Sequence, residues 1–214
     1  MKEPEKYPPE LILIMDLSLT TNPVDDLKLI LAQSDIATII ISNKTTSPSL
    51  NRELITTIQS LNIAVLIEDN VPLANQLGAD GTHLSSDDED MFEAALNALD
   101  ENSIIGITAG ESRHKAMVFA ESGCSYLAIN LANNDDITVE EFERPPEIDW
   151  WVQLFGTPCV AWNLKTVEET AEAINQQADF LALAPELWQK EKPDDTLKSI
   201  RQLISNAAKE TITD

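Results

Sequence analysis

The chain has 214 residues, of which 37 are acidic and 14 basic, and its formal net charge is −23. This charge disfavours binding to nucleic acids and to anionic membranes, because like charges repel one another. A chain of this length with 43% apolar residues is long enough to form one domain with a sizeable core.

Residues 1–10 are predicted to form an amino-terminal extension. They combine charged residues with three prolines and lack the apolar stretch of a secretory signal. No apolar run approaches the ~18 residues that are needed to cross a bilayer. We therefore expect a cytoplasmic protein without membrane or nucleic-acid partners.

Eight short apolar runs rich in Ile, Val and Leu follow one another along the rest of the chain. Their hydrophobicity is continuous rather than alternating, which is typical of parallel strands that are covered on both faces. The predicted strands are Leu11–Met15, Ala37–Ile41, Ile63–Ile67, Gly81–Leu84, Ile104–Ile107, Tyr126–Ile129, Pro158–Trp162 and Phe180–Leu183.

Segments with helical spacing of apolar residues separate these runs. Two of the predicted helix starts, Thr166 with Glu169 and Ser86 with Glu89, have the spacing of a capping box. The longest gap, at residues 130–157, is predicted to hold an enlarged loop and then a short helix.

The alternation of eight strands with helices predicts a single (β/α)8 TIM barrel of the α/β class over residues 11–210, followed by a short tail at 211–214. An open, doubly wound sheet stays an alternative. Its phosphate-binding fingerprint would place glycines after the first strand, and the residues there, Met15–Ser18, contain none.

Reacting groups of such barrels cluster at the carboxyl ends of the strands, so the residues just past each run are the candidates for chemistry. Polar side chains occur there after seven of the eight strands. They are Asp16, Asn43, Lys44, Glu68, Asp69, His83, the turn Ser85–Asp88, Thr108, Asn130, Asn163 and Lys165.

Three of these strand ends carry recognisable motifs. Residues 67–70 read Ile-Glu-Asp-Asn, residues 77–84 read Leu-Gly-Ala-Asp-Gly-Thr-His-Leu, and residues 104–109 read Ile-Ile-Gly-Ile-Thr-Ala. The chain thereby resembles thiamine phosphate synthase and its TenI-like relatives. In that family the third strand ends in Asn-Asp-Arg, the fourth reads Gly-Ala-Asp-Gly-Val-His-Leu-Gly-Gln-x-Asp, and the fifth reads Ile-Ile-Gly-Val-Ser.

The resemblance implies a small-molecule reaction at the barrel mouth, within thiamine biosynthesis. The family joins a pyrimidine methyl diphosphate to a thiazole phosphate and releases pyrophosphate, with magnesium holding the leaving group. By resemblance, the magnesium ligands fall on Asp69 and Asp88, and Lys44 is the remaining group that holds the pyrimidine diphosphate. A homo-oligomer is a further expected form of the protein.

Other positions depart from the family pattern, and the departures remove phosphate-binding groups. The Asn and Arg that flank the third-strand aspartate become Glu68 and Asn70. The family's Ile-Gly-Gly turn after the seventh strand becomes Trp162–Leu164, and a Val-Ser turn becomes Ala184-Pro185. Proline lacks an amide donor, and side chains hinder the close approach of phosphate to the backbone. We therefore infer that the phosphate-binding and catalytic sites are degenerate.

The predicted site residues are Lys44 and His83 for catalysis; Lys44, Glu68, Thr108, Asn130 and Asn163 for substrate binding; and Asp69 and Asp88 for magnesium. Each has a structural alternative: a lone histidine is more often a structural hydrogen-bonding group, and acids are also favoured at helix starts. Three functional alternatives stay open. They are an active magnesium-dependent transferase, a non-catalytic ligand- or partner-binding barrel, and a hydrolase or lyase that uses Asp16, Glu68 and Asp69.

Overall fold

The computed structural model describes residues 7–20, 22–31, 36–42, 50–110, 112–131, 145–189 and 193–211. Eight parallel strands close into a barrel in chain order, each paired with the next and the last with the first. The strands are β1 Glu10–Met15, β2 Ile36–Ile41, β3 Ala64–Glu68, β4 Gly81–Leu84, β5 Ile104–Thr108, β6 Tyr126–Ile129, β7 Cys159–Leu164 and β8 Phe180–Leu183. The predicted (β/α)8 barrel is confirmed.

Helices follow the strands and cover the outside of the barrel. They are α1 Pro23–Leu31, α2 Arg52–Gln59, α3 Val71–Leu77, α4 Glu89–Ala98, α5 Arg113–Glu121, α6 Ile148–Leu154, α7 Val167–Asn175, α8 Pro185–Trp188 and α9 Pro193–Thr211. A 3₁₀ turn at Leu17–Leu19 follows β1. Among the described residues no helix combines the length and apolarity that a membrane span requires.

Several helix starts are fixed by side-chain caps, one of which differs from the prediction. Thr166 caps α7 as expected, since its hydroxyl accepts a hydrogen bond from the Glu169 N–H. The cap of α4 is Asp88 and not Ser86, because Asp88 Oδ1 accepts a hydrogen bond from the Met91 N–H at 3.0 Å. The helix therefore begins at Glu89, and Ser86 lies in the preceding turn.

Small residues make room for large rings inside the barrel. Four register partners on neighbouring strands, Glu68, His83, Gly106 and Tyr126, lie side by side across β3 to β6. A Cβ atom on Gly106 would lie 1.9 Å from Cζ of Tyr126. The absence of a side chain at Gly106 therefore admits the tyrosine ring, whose hydroxyl reaches His83.

Candidate functional site

A cleft of about 450 Å³ opens at the carboxyl ends of the strands. The charged residues of its lining, within the part of the chain that the structure describes, are Asp16, Glu68, Asp69, Glu186 and Lys165. Four carboxylates and one ammonium group give these side chains a formal charge of −3. The described lining of the cleft is therefore electrostatically negative, in keeping with the charge of the whole chain.

Glu68 forms the buried end of the cleft. It is the last residue of β3, and its side chain is only 7% exposed. The Ser42 hydroxyl donates a hydrogen bond to Oε2 at 2.7 Å. Within the described part of the chain, Oε1 has no hydrogen-bond partner. Glu68 thus brings to the wall of the cleft a carboxylate oxygen that accepts no hydrogen bond from a described residue.

His83 lies deeper in the barrel than the cleft and is fully buried. Its Nδ1 is 2.9 Å from the Tyr126 hydroxyl and its Nε2 is 3.0 Å from the Thr108 hydroxyl. Its ring stacks on Trp162 with 3.9 Å between centroids. Burial lowers the pKa of His83 to about 3, so the ring is neutral at physiological pH.

A neutral imidazole has one N–H, so one of these two hydrogen bonds donates from the ring and the other is accepted by it. The predicted substrate-binding residue Thr108 is the second partner and is itself buried. Neither His83 nor Thr108 belongs to the cleft lining. Their predicted roles in catalysis and substrate binding stay predictions.

Asp69 follows β3 with a φ of 51°, a left-handed conformation that Asp adopts more readily than most residues. Its carboxylate accepts hydrogen bonds from the Ser85 N–H, at 2.8 Å, and from the Ser85 hydroxyl. Ser85 opens the turn that ends at Asp88. The end of β3 is thereby tied to the turn that carries the second predicted magnesium ligand.

The donor chemistry of Asp69 and Asp88 fits magnesium, which takes one or two carboxylates together with phosphate oxygens and water. Asp88 uses Oδ1 as a helix cap, and its Oδ2 accepts no hydrogen bond from a described residue. No cluster of three or more His, Cys, Asp or Glu side chains suited to a metal occurs among the described residues. The pair could thus hold the ion only together with oxygens from a ligand or water.

Asn163 lines the cleft from β7 with a φ of 58°. The left-handed turn for which glycine is usual thus persists here with asparagine, which tolerates it. The backbone amides nearby are less available. The Ala184 N–H donates to the Leu164 carbonyl at 2.8 Å, and Pro185 has no N–H.

The other candidates lie elsewhere. Asn130 is exposed after β6 and is not part of the cleft lining, and Lys44 lies outside the described residues. The guanidinium of Arg113, at the start of α5, contacts Glu147 at 3.1 Å and lies 4.2 Å from the Trp150 ring. These contacts direct its side chain towards α6.

Trp162 and Glu186 line the cleft and are not among the predicted site residues. From the sequence, Trp162 belongs only to the altered turn after β7; its position between the cleft and His83 depends on which face of β7 points inward. Glu186 is in the first turn of α8, directly after the Ala184-Pro185 pair. An acid in the turn where a family member would bind phosphate is the signal that could have identified it.

The comparisons with known proteins agree with the geometry. The profile described as thiamine monophosphate synthase matches residues 11–187. The thiamine-phosphate synthase of Hyphomonas neptunium is 35% identical over 70% of this chain and 68% of its own length. Those of Rhodospirillum centenum and Erythrobacter litoralis are 33% and 37% identical over 61% and 59% of this chain. The matches span 63% and 60% of the latter two proteins, less than two thirds of their lengths.

Solved structures share the fold. A thiamine phosphate pyrophosphorylase from Pyrococcus furiosus superimposes with a TM-score of 0.70 at 18% identity, covering 92% of this chain and 96% of that one. A native KDPGal structure gives 0.67 at 12% identity and covers 100% of this chain and 98% of that one. At these identities the likeness shows the barrel alone. The profile match over residues 11–187 shows that the chain belongs to the thiamine monophosphate synthase family.

Proposed function

We propose that this barrel binds a small molecule at its mouth and has lost most of the family's coupling of pyrimidine methyl diphosphate with thiazole phosphate. The observation that carries the proposal is the charge of the cleft lining, in which the described residues supply four carboxylates and one cation, Lys165. Departure of a diphosphate builds negative charge on its oxygens, which cations and fixed donors must stabilise. A cleft lined mainly by carboxylates instead destabilises the negative charge that develops on the diphosphate oxygens.

The phosphate-binding backbone supports the same proposal. The Ala184 amide is engaged with Leu164, Pro185 contributes no donor, and the carboxylate of Glu186 lies in the next position of the chain. A phosphate at this turn would meet few free amides and an adjacent negative charge. Binding of the thiazole phosphate is therefore expected to be weak.

An active magnesium-dependent transferase is the second candidate, and the hydrogen bonds between Asp69 and Ser85 favour it. They hold the end of β3 beside the turn that contains Asp88. In this candidate Asp69 and Asp88 would hold magnesium, and Lys44 would contact the diphosphate. Bound magnesium would supply neutralisation of the leaving group. Asp69 and Asp88 would position it from the two strand ends.

A coupling assay separates the two candidates. We expect thiamine phosphate formation from both precursors and magnesium to be about a hundredfold or more slower than with the Hyphomonas neptunium relative, since loss of even one donor to a developing anion costs about that much. Product is measured by its oxidation to a fluorescent thiochrome derivative.

Asp69→Asn and Asp88→Asn are the informative variants, because asparagine tolerates the left-handed backbone at one site and caps helices well at the other. Asp90→Asn, also in the first turn of α4, is the matched control. The transferase would be established instead by two results together: the parent chain couples the precursors at a rate within about tenfold of the relative's, and both variants abolish this activity while the control retains it.

A further inference from the structure

We propose that the ligand of the cleft is a small organic cation, such as a protonated or quaternary amine, with Glu68 as its buried counter-charge. This inference rests on the proposed function and names the ligand class of the same site. It is supported by Glu68, by the indole of Trp162 and by the excess of carboxylates over cations among the described residues of the lining.

Glu68 supplies the observation that goes beyond the negative charge of the cleft. An ionised carboxylate that is 7% exposed loses most of its hydration and is stable only when charge or hydrogen bonds replace it. The described residues provide one neutral donor, the Ser42 hydroxyl, to Oε2. The remaining oxygen, Oε1, belongs to a side chain on the cleft wall. An ammonium group entering the cleft would complete this buried pair.

Trp162 provides the second element of a cation site. It lines the cleft, is 9% exposed, and is held in place by His83, whose ring stacks on it at 3.9 Å. Indole is the side chain that attracts organic cations most strongly through its π-face. Because His83 is neutral, its ring carries no positive charge that would repel a ligand cation from the indole of Trp162.

The charged side chains at the entrance of the cleft also favour cations over anions. Glu186 and Asp69 are exposed carboxylates that face the same cavity as Glu68. They attract a cation over distances of several ångströms and repel a phosphorylated molecule. Lys165 is the one described cation in the lining and opposes this attraction.

Two pairs of probes test the proposal with the intact chain. Choline and benzylammonium are compared with their near-isosteric neutral partners, 3,3-dimethylbutan-1-ol and benzyl alcohol, and inorganic pyrophosphate serves as the anion. Binding is measured by isothermal titration calorimetry at low salt. We expect each cation to bind at least about tenfold more tightly than its neutral partner and more tightly than pyrophosphate.

Charge variants then assign the site. Glu68→Gln retains an oxygen that can accept the hydrogen bond from the Ser42 hydroxyl. It should reduce the affinity for the cation about tenfold or more and leave the affinity for the neutral partner unchanged. Glu186→Gln, at an exposed position, should reduce the affinity for the cation severalfold, and Lys165→Gln should raise it. Glu93→Gln, at an exposed position of α4, is the matched control and should change nothing.

Several results of these titrations would contradict the inference. Equal affinity for cation and neutral partner, no heat from either cation at about 10 mM, or tighter binding of pyrophosphate would overturn the inference. Unchanged cation affinity in both Glu68→Gln and Glu186→Gln would also overturn it. The second substitution is at an exposed position, so it should not disturb the folded core. If cations do not bind and coupling is absent, the ligand inference fails but the proposed function is retained. If the chain couples the two precursors at the relative's rate, the proposed function is wrong whatever the cations do.

Discussion

Gly106→Ala is expected to lower the free energy of unfolding by about 3 kcal/mol or more, at the upper end of overpacking substitutions. The new methyl group would lie 1.9 Å from Cζ and 2.4 Å from Cε1 and Cε2 of Tyr126, inside a closed barrel. The ring cannot move aside freely, because its hydroxyl bonds to His83 at 2.9 Å. The loss is measured by urea unfolding followed by circular dichroism.

Gly156→Ala is the control for this prediction. A Cβ at Gly156 meets no atom within 4 Å, so the same substitution there should be nearly neutral. The double variant Gly106→Ala with Tyr126→Leu should recover part of the loss if the ring is the obstacle, since the two sites are in contact and couple. A Gly106→Ala protein as stable as the parent chain would show that the interior is less tightly packed than this geometry requires.

The barrel could be predicted because its signal is distributed over the whole chain. Each apolar run becomes one strand, and its ends either agree with the prediction or shift by at most two residues, as where β5 extends to Thr108 and β7 to Leu164. The alternation of strands and helices then leaves few arrangements for parallel strands buried on both faces. Loss of a single run would not change the conclusion.

The site could be predicted less completely, because its chemistry depends on depth and direction. Glu68, Asp69 and Asn163 were selected as strand-end residues and line the cleft, whereas His83 and Thr108 were selected by the same rule and bond to each other inside the barrel. A position after a strand does not reveal how far along the barrel axis its side chain reaches, since that is set by the register between strands.

The caps illustrate the same limit at shorter range. Asp88 fits both a magnesium ligand and a helix cap, and its bond to the Met91 N–H shows that one oxygen serves the helix. The spacing of Ser86 and Glu89 satisfied the capping-box pattern, yet the chain begins the helix two residues later. Several acceptors in succession make the helix start ambiguous, because each of them can cap.

Lowering the pH from 7 to 5 should weaken the fold through His83 by about 2 kcal/mol. The unfolded ring has a pKa near 6.5, and burial lowers the pKa of the folded ring to about 3. Between these values the unfolded state binds a proton that the folded state excludes. The stability contributed by neutral His83 is therefore complete above pH 6.5 and declines as the pH falls towards 3.

Urea unfolding of the parent chain and of His83→Phe at pH 7 and pH 5 isolates this contribution, because the many carboxylates titrate alike in both proteins. Phenylalanine keeps a ring against Trp162 but binds no proton, so the stability difference between the two proteins should shrink by about 2 kcal/mol at the lower pH. His114→Gln, at an exposed position of α5, is the control and should follow the parent chain. Parallel pH dependence of the parent and His83→Phe would contradict the prediction, because it would show that burial does not lower the pKa of the folded ring below that of the unfolded ring.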